Sequence, residues 1–354
     1  MKSNIKVAIA GVGNCASALV QGVQYYSVTN DTTGVTFKEI NGYSISDIKF
    51  TAAFDVDARK VGKDLAEAIF TPPNNALKVI DVDKTGVIVK PGPLLDGIAP
   101  ELVGSHIPVV EAKVDDVVKE LESTNSEVLI NYLPTGAQKA SEAYAEAALR
   151  AGVGFINAMP SQIATSEQWQ ARFTKAGLPL LGDDIQNQLG ATVLHKTIMH
   201  LLSLRGLKVI GTYQLNVGGT PDFLNLNYRK SQKEKTKTAA VKKMVKEQDF
   251  DAYITPVAHV GFLGGRKRAH MFIEAQGFAG VPVKIEVSLE VHDPWNNAGV
   301  MVDVVRLMKV ALDRGIAGPI YSVAAWAFKN PPLHAPPDEA YTWLMEFIEG
   351  KRDN

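Results

Sequence analysis

Cysteine is all but missing from this sequence: Cys15 is the only one in 354 residues, so no disulfide can form within the chain and a cytoplasmic setting is expected. An excess of one charge is missing too. A formal net charge of -1, with 21% charged residues, supplies no global field toward nucleic acid or a membrane surface, and neither partner is expected. No uninterrupted apolar run approaches the roughly 18 residues that suggest a membrane span. Met1 to Lys6 lead straight into an apolar strand, without the h-region and cleavage site of a signal peptide. The seven histidines show no metal-ligand spacing. His195 and His200 read as helix-surface or core residues, and no Ser/His/Asp arrangement is apparent.

What is there is a chain 46% hydrophobic and long enough for two domains. In its first half, short apolar runs alternate with helical patterns, which predicts a parallel sheet covered by helices. Val7-Ala8-Ile9-Ala10, Thr51-Ala52-Ala53-Phe54, Val128 to Asn131, Phe155-Ile156-Asn157 and Leu180-Leu181 read as strands. Helical spacing from Ala16 (Leu19, Val20, Val23), from Asp57 to Phe70, and over 138–151 and 166–176 places helices between them. Residues 71–108, rich in Pro and Gly, take no assignment. Later the period changes to two, as Val281, Val283, Ile285, Val287, Leu289 and Val291 alternate with mostly polar residues. That marks an antiparallel strand with one covered face. With 209–217, 254–262 and 268–275 it predicts a second, open-faced sheet. Helical spacing resumes from Val300 to Arg314, stopped by Gly315. A last amphipathic helix after Pro337 buries Trp343, Leu344, Phe347 and Ile348.

Gly11-Val12-Gly13-Asn14-Cys15-Ala16 fits G-x-G-x-x-A between the first strand and helix. Gly11 suits the tight turn, Gly13 lets backbone approach a pyrophosphate, and Ala16 permits close helix–strand packing at a helix N-terminus that faces phosphates. Asp55, ending the second strand, suits ribose hydroxyls and repels a 2′-phosphate, which favours NAD over NADP. It stands about twice as far from the glycines as the usual ~20 residues, so an insertion is expected, over the polar 26–46 stretch. Cys15 reads as a small packing residue at the helix start. The fold class is therefore α/β: a Rossmann-like doubly wound sheet over 1–195 and 299–354, interrupted by an inserted α+β open-faced sheet domain over 196–298.

Arg229 to Lys237 is unusually basic, and Lys242, Lys243 and Lys246 follow. On a helix, Lys233 and Lys237 would share one face and repel by a few tenths of a kcal/mol, which a phosphate dianion or a developing alkoxide would offset. From the run alone, a solvated charged surface is the favoured reading. Lys267 follows Gly264-Gly265-Arg266, and Lys329 precedes Asn330-Pro331-Pro332. Gly218-Gly219 with Asp222 and Asn225 forms a polar turn. Gly182-Asp183-Asp184 ends a strand where doubly wound sheets bind ligands.

These motifs, joined by Phe54-Asp55-Val56-Asp57, Asn131-Tyr132-Leu133-Pro134, Asn216-Val217-Gly218-Gly219, His259-Val260-Gly261 with Arg266-Lys267, and Leu289-Glu290-Val291 with Asp293 and Asn296, occur in order. Over nearly its whole length the chain resembles the inositol-1-phosphate synthase family in its shorter prokaryotic form. The resemblance implies a redox-neutral cyclisation of glucose 6-phosphate to 1D-myo-inositol 3-phosphate: oxidation at C5 with NAD, an intramolecular aldol step joining C6 to C1, and reduction at C5. It matches Lys233, Lys237, Lys267 and Lys329 to catalytic lysines, and Asp293 to an acid at the substrate. Asn131, Pro134, Asn157 and Asp184 match cofactor positions. Gln186, Asn187, Gln188, Thr192, Gly219, Thr220, Asp222 and Asn225 match the sugar-phosphate pocket. A homotetramer formed through the inserted sheet is implied as well. A divalent metal is left open, since carboxylates and phosphate could share a hydrated cation without a dedicated cage. The sequence departs from the bacterial pattern in carrying Gln186 and Asn187 for Lys and Ser, and Thr220 for Asn. Those changes keep a related cyclitol phosphate synthase, acting for example on fructose 6-phosphate, as an alternative.

Overall fold

The structure is a computed structural model that describes residues 4–29, 31–228, 241–244 and 250–354. The first half of the chain supplies six strands, β1 (Ile5–Ala10), β2 (Ile48–Asp55), β3 (Lys90–Pro91), β4 (Val128–Asn131), β5 (Gly154–Asn157) and β6 (Pro179–Leu181). Four more follow, β7 (Lys208–Gly218), β8 (Asp251–His259), β9 (Arg266–Gln276) and β10 (Pro282–His292), and a short β11 (Gly318–Pro319) comes last. The helices are α1 (Asn14–Val28), α2 (Leu65–Ala68), α3 (Val114–Ser123), α4 (Gln138–Ala151), α5 (Glu167–Ala176), α6 (Ala191–Leu204), α7 (Pro221–Tyr228), α8 (Asp293–Asp313), α9 (Tyr321–Ala327) and α10 (Pro337–Ile348).

The larger sheet is parallel throughout, in the order β11-β6-β5-β4-β1-β2-β3. Strand order reverses at β1, and there a doubly wound sheet opens a crevice beyond the carboxyl ends of its strands. Both faces are covered, as the continuous apolar strands require. Val7 and Ile9 pack with Leu19 and Val20 of α1 and Met301 and Val305 of α8. Ala8 and Ala10 point the other way, to Val117 of α3, Tyr144 and Ala148 of α4 and Phe173 of α5. The stretch between α1 and β2 packs on α8. Buried Arg306 donates to the carbonyls of Phe37, Lys38 and Tyr43, and the Tyr43 hydroxyl to Asp313.

The smaller sheet has the order β10-β9-β7-β8. Its inner face is covered by Met199 and Leu202 of α6 with Val241, Met244 and Phe250. The pairs β10–β9 and β9–β7 are antiparallel, whereas β8 runs parallel to β7, a direction that alternation alone does not reveal. The helix expected over 57–70 shrinks to Leu65–Ala68. Gly62 has φ 87°, and the backbone of Ala58, Gly62 and Leu65 bonds to Pro108, Val89 and Val87 instead of forming a helical ladder.

Candidate active site

A cleft of about 540 Å³ runs from the β1–α1 turn to the first turn of α8. At one end, Gly11 has φ 94°, and a Cβ there would sit 2.6 Å from the Tyr132 carbonyl oxygen, so the turn itself demands glycine. Gly13 differs: no protein atom lies within 4 Å of where its Cβ would be. The protein does not require that glycine, but a phosphate close to the backbone would. Gly13 also caps α1 without a side chain, leaving the first N–H groups of the helix open to an anion. Val12 and Ala16 are buried, while half-buried Cys15 lines the cleft.

Asp55 lies at the end of β2, beside this turn. Its Oδ2 accepts from Val12 N–H at 2.8 Å, and Oδ1 from Val56 and Asp57 N–H at 2.7 and 2.9 Å. Lys60, 5% exposed, donates to the Val12 carbonyl at 2.9 Å and to Asn74 Oδ1 at 3.1 Å, with Asp55 3.6 Å away. The Pro-rich stretch that had no sequence assignment thus forms part of the site. Asn14 Oδ1 accepts from the N–H groups of Asn75 and Ala76, and Asn75 Nδ2 donates to the Gly219 carbonyl at 3.0 Å.

The far end of the cleft carries two lysine–carboxylate pairs. Lys329 Nζ lies 2.8 Å from Asp184 Oδ1. Asp184 is 3% exposed, and its Oδ2 has no hydrogen-bond partner among the described residues. Lys267 Nζ lies 2.9 Å from Asp293 Oδ1, which also accepts from Asn187 Nδ2 at 2.7 Å. Pro134, Thr220, Asp222 and Asn225 line the cleft too, held partly by Thr135, whose hydroxyl donates to Asp222 and whose carbonyl accepts from Asn225. Gly219 is hemmed in, since a Cβ would meet Gly264 N at 2.5 Å.

Other expected site residues lie elsewhere. Asn131 and Asn157 are fully buried behind the cleft, where Asn131 Nδ2 donates to Asn157 Oδ1 and Asn157 Nδ2 to Asp183 Oδ1. Both are used up in fixing the strand ends. Asp183 also accepts from the N–H groups of Ile163, Ala164 and Thr165, and burial pushes its pKa up to about 6. Gln186 turns away and donates to the Trp326 carbonyl, exposed Gln188 donates to the Gly34 carbonyl, and Thr192 is buried without lining the cleft. Of the 184–188 loop, Asp184, Ile185 and Asn187 line the cleft while Gln186 and Gln188 do not, so adjacency in sequence does not place them together. Lys233 and Lys237 lie outside the described residues. Among the described residues, no group of three or more His, Cys, Asp or Glu side chains is arranged to hold a metal ion, and no helix is long and apolar enough to cross a membrane.

Known proteins give this geometry a family. The family model for myo-inositol-1-phosphate synthase matches residues 190–294, which carry the second sheet and the start of α8. Inositol-3-phosphate synthase of Mycolicibacterium smegmatis is 46% identical over 98% of this chain and 98% of its own. That of Mycobacterium tuberculosis is 45% identical over 98% of this chain and 96% of its own. Among solved structures, a myo-inositol-1-phosphate synthase-related protein from Thermotoga maritima superposes with a TM-score of 0.84 at 27% identity, covering 98% of each chain. The chain belongs to the inositol-3-phosphate synthase family.

Proposed function

We propose that this protein cyclises glucose 6-phosphate to 1D-myo-inositol 3-phosphate in the cytoplasm, with NAD held throughout the cycle, as a homotetramer joined through the smaller sheet. The observation that carries the reading is the single cleft itself. It joins a glycine turn and ribose-suited Asp55 at one end to the Asp184–Lys329 and Asp293–Lys267 pairs at the other.

NAD, when bound, would supply the hydride acceptor and donor for chemistry at C5. Gly11 to Ala16 and the N-terminus of α1 would hold its pyrophosphate, Asp55 the ribose, and Pro134 and Asp184 the nicotinamide end. The remaining chemistry belongs to side chains. A ketone at C5 acidifies C6, a base removes a C6 proton, and cations stabilise the enolate oxygen and then the alkoxide formed at C1. Lys329 and Lys267 stand within reach of the cleft for those roles, each oriented by its carboxylate, and Lys233 and Lys237 would join them. Asn187, Thr220, Asp222 and Asn225 offer the polar wall for the sugar.

Incubation with glucose 6-phosphate should consume it with no net change in NADH absorbance, and phosphorus and carbon NMR should identify the inositol phosphate. NADH accumulating in step with product would mean a simple dehydrogenase. A parallel incubation with fructose 6-phosphate tests the five-membered-ring alternative, which its preferential turnover would establish.

A further inference from the structure

Beside the main cleft lies a second one of about 450 Å³, bounded by α6, α9 and the start of α10. The two share Asn187 as a wall. Lys196 of α6 lines the second cleft and is only 5% exposed. Its ammonium reaches one neutral acceptor, Gln186 Oε1, at 3.4 Å. The other polar lining groups are amides and hydroxyls, among them Thr36, Thr197 and Tyr341, and no lining residue is acidic.

The charge around Lys196 is also positive. Burial first, then the cations of Lys243 and Lys329, push its pKa down to about 8. Burial, with Lys243 and Lys196, pushes His334 down to about 4, so that at neutral pH it adds no charge. Lys329 has Asp184 at 2.8 Å, but Lys196 has no carboxylate partner among the described residues.

An ammonium taken out of water is costly unless an anion or several acceptors replace the water. One long bond to an amide oxygen supplies neither. A phosphate supplies both, with negative charge and strong acceptor oxygens, in a cleft that the Tyr341 hydroxyl and the Trp326 indole also line. We infer that the cleft at Lys196 binds a phosphate group, with Lys196 as its principal cation. Two sources share that chemistry. One is the phosphate end of the sugar phosphate, reaching past Asn187, which rests on the function proposed above; the other is free phosphate bound alongside.

Titrating inorganic phosphate into the full-length protein, followed by phosphorus NMR line width and by thermal midpoint, tests the site without turnover. The midpoint should rise with phosphate in the natural protein and in Lys196→Arg. In Lys196→Met the phosphate dissociation constant should weaken by about tenfold or more, as for loss of a charge-assisted contact. Without phosphate, Lys196→Met should melt no lower than the natural protein, because it removes a poorly satisfied buried cation. Should that variant not fold, Lys196→Gln carries the same comparison. Repeating the titration with saturating glucose 6-phosphate and NAD identifies the source: competition assigns the site to the substrate's phosphate, additive binding to a free one, and either supports the site. No phosphate-dependent shift in the natural protein, or equal affinity in Lys196→Met, would overturn the proposal whatever the sugar substrate proves to be.

Discussion

Asp55 spends both carboxylate oxygens on backbone N–H groups of the glycine turn and of its own strand end, so it orders the turn as well as facing the cleft. Asp55→Ala should weaken NAD binding by about tenfold or more, the scale of lost hydrogen bonds to a charged group, and leave sugar-phosphate affinity nearly unchanged. Calorimetric titration of each ligand reads the two separately, and unaltered NAD affinity would remove Asp55 from the ribose site. His195 makes a different kind of test. It is fully buried, with Nδ1 3.2 Å from Gln214 Oε1 and Nε2 2.8 Å from Thr212 Oγ1, and burial pushes its pKa down to about 4 from the ordinary 6.5. The unfolded chain therefore takes up this proton at a higher pH than the native one. Stability from the neutral ring is complete above pH 6.5 and is lost as pH falls toward 4, by roughly 3 kcal/mol at most. Urea midpoints measured across that window should fall in the natural protein and fall less steeply in His195→Gln. Parallel curves for the two proteins would assign the pH dependence to other groups.

At the scale of elements, the 72–77 strap joins the two ends of the cleft. The Asn75 side chain accepts from Asn14 Nδ2 at 2.8 Å and donates to the Gly219 carbonyl at 3.0 Å, so one amide touches both the glycine turn proposed for the cofactor and the turn proposed for the sugar. Asn75→Ala should raise the dissociation constant for NAD and the KM for sugar phosphate together, each about fivefold, as expected for one hydrogen bond lost at each end. A rise in only one of them would sever the link. Most strands of both sheets were legible in the sequence because their apolar periods are imposed by burial on one face or two, whereas the two-residue edge strands β3 and β11 are too short to carry a period. Gly11 was legible because the backbone there permits little else. The strap was not, since it is held by amide-to-carbonyl bonds across long sequence separations, which leave no period. The helix expected over 57–70 fails for a related reason: Leu65, Ala68 and Ile69 are buried through a single turn. Lys196 gave no signal either, because a lone lysine on an apolar helix reads as a solvated end until its burial is seen.

Among the described residues, one face of the smaller sheet is left uncovered. Cross-strand register puts Tyr253 opposite Tyr213, Tyr213 opposite Phe272, and Phe272 opposite Glu286, so these four share the outer face. The Tyr213 and Phe272 rings stack at 5.5 Å, while Tyr253 remains 60% exposed and Val257, four residues further along β8 at the bulge, 45% exposed. An aromatic row of this kind, edged by charged residues, has the composition of an association surface rather than of a solvated one. Both β8 and β10 are edge strands, and β10 is 11 residues long, a length that natural sheets seldom leave bare. The assembly proposed through this sheet would account for both features. Tyr253→Glu with Val257→Glu changes side chains already exposed in the single chain, so the fold should lose little, within about 1 kcal/mol. Two carboxylates on an apolar association face cost far more, because each would be desolvated without a partner. Light scattering should therefore give a tetramer mass for the natural protein and a smaller assembly for the double variant, with circular dichroism unchanged. A variant that keeps the tetramer mass would place the interface on another surface, and a natural protein that runs as a monomer would remove the assembly altogether.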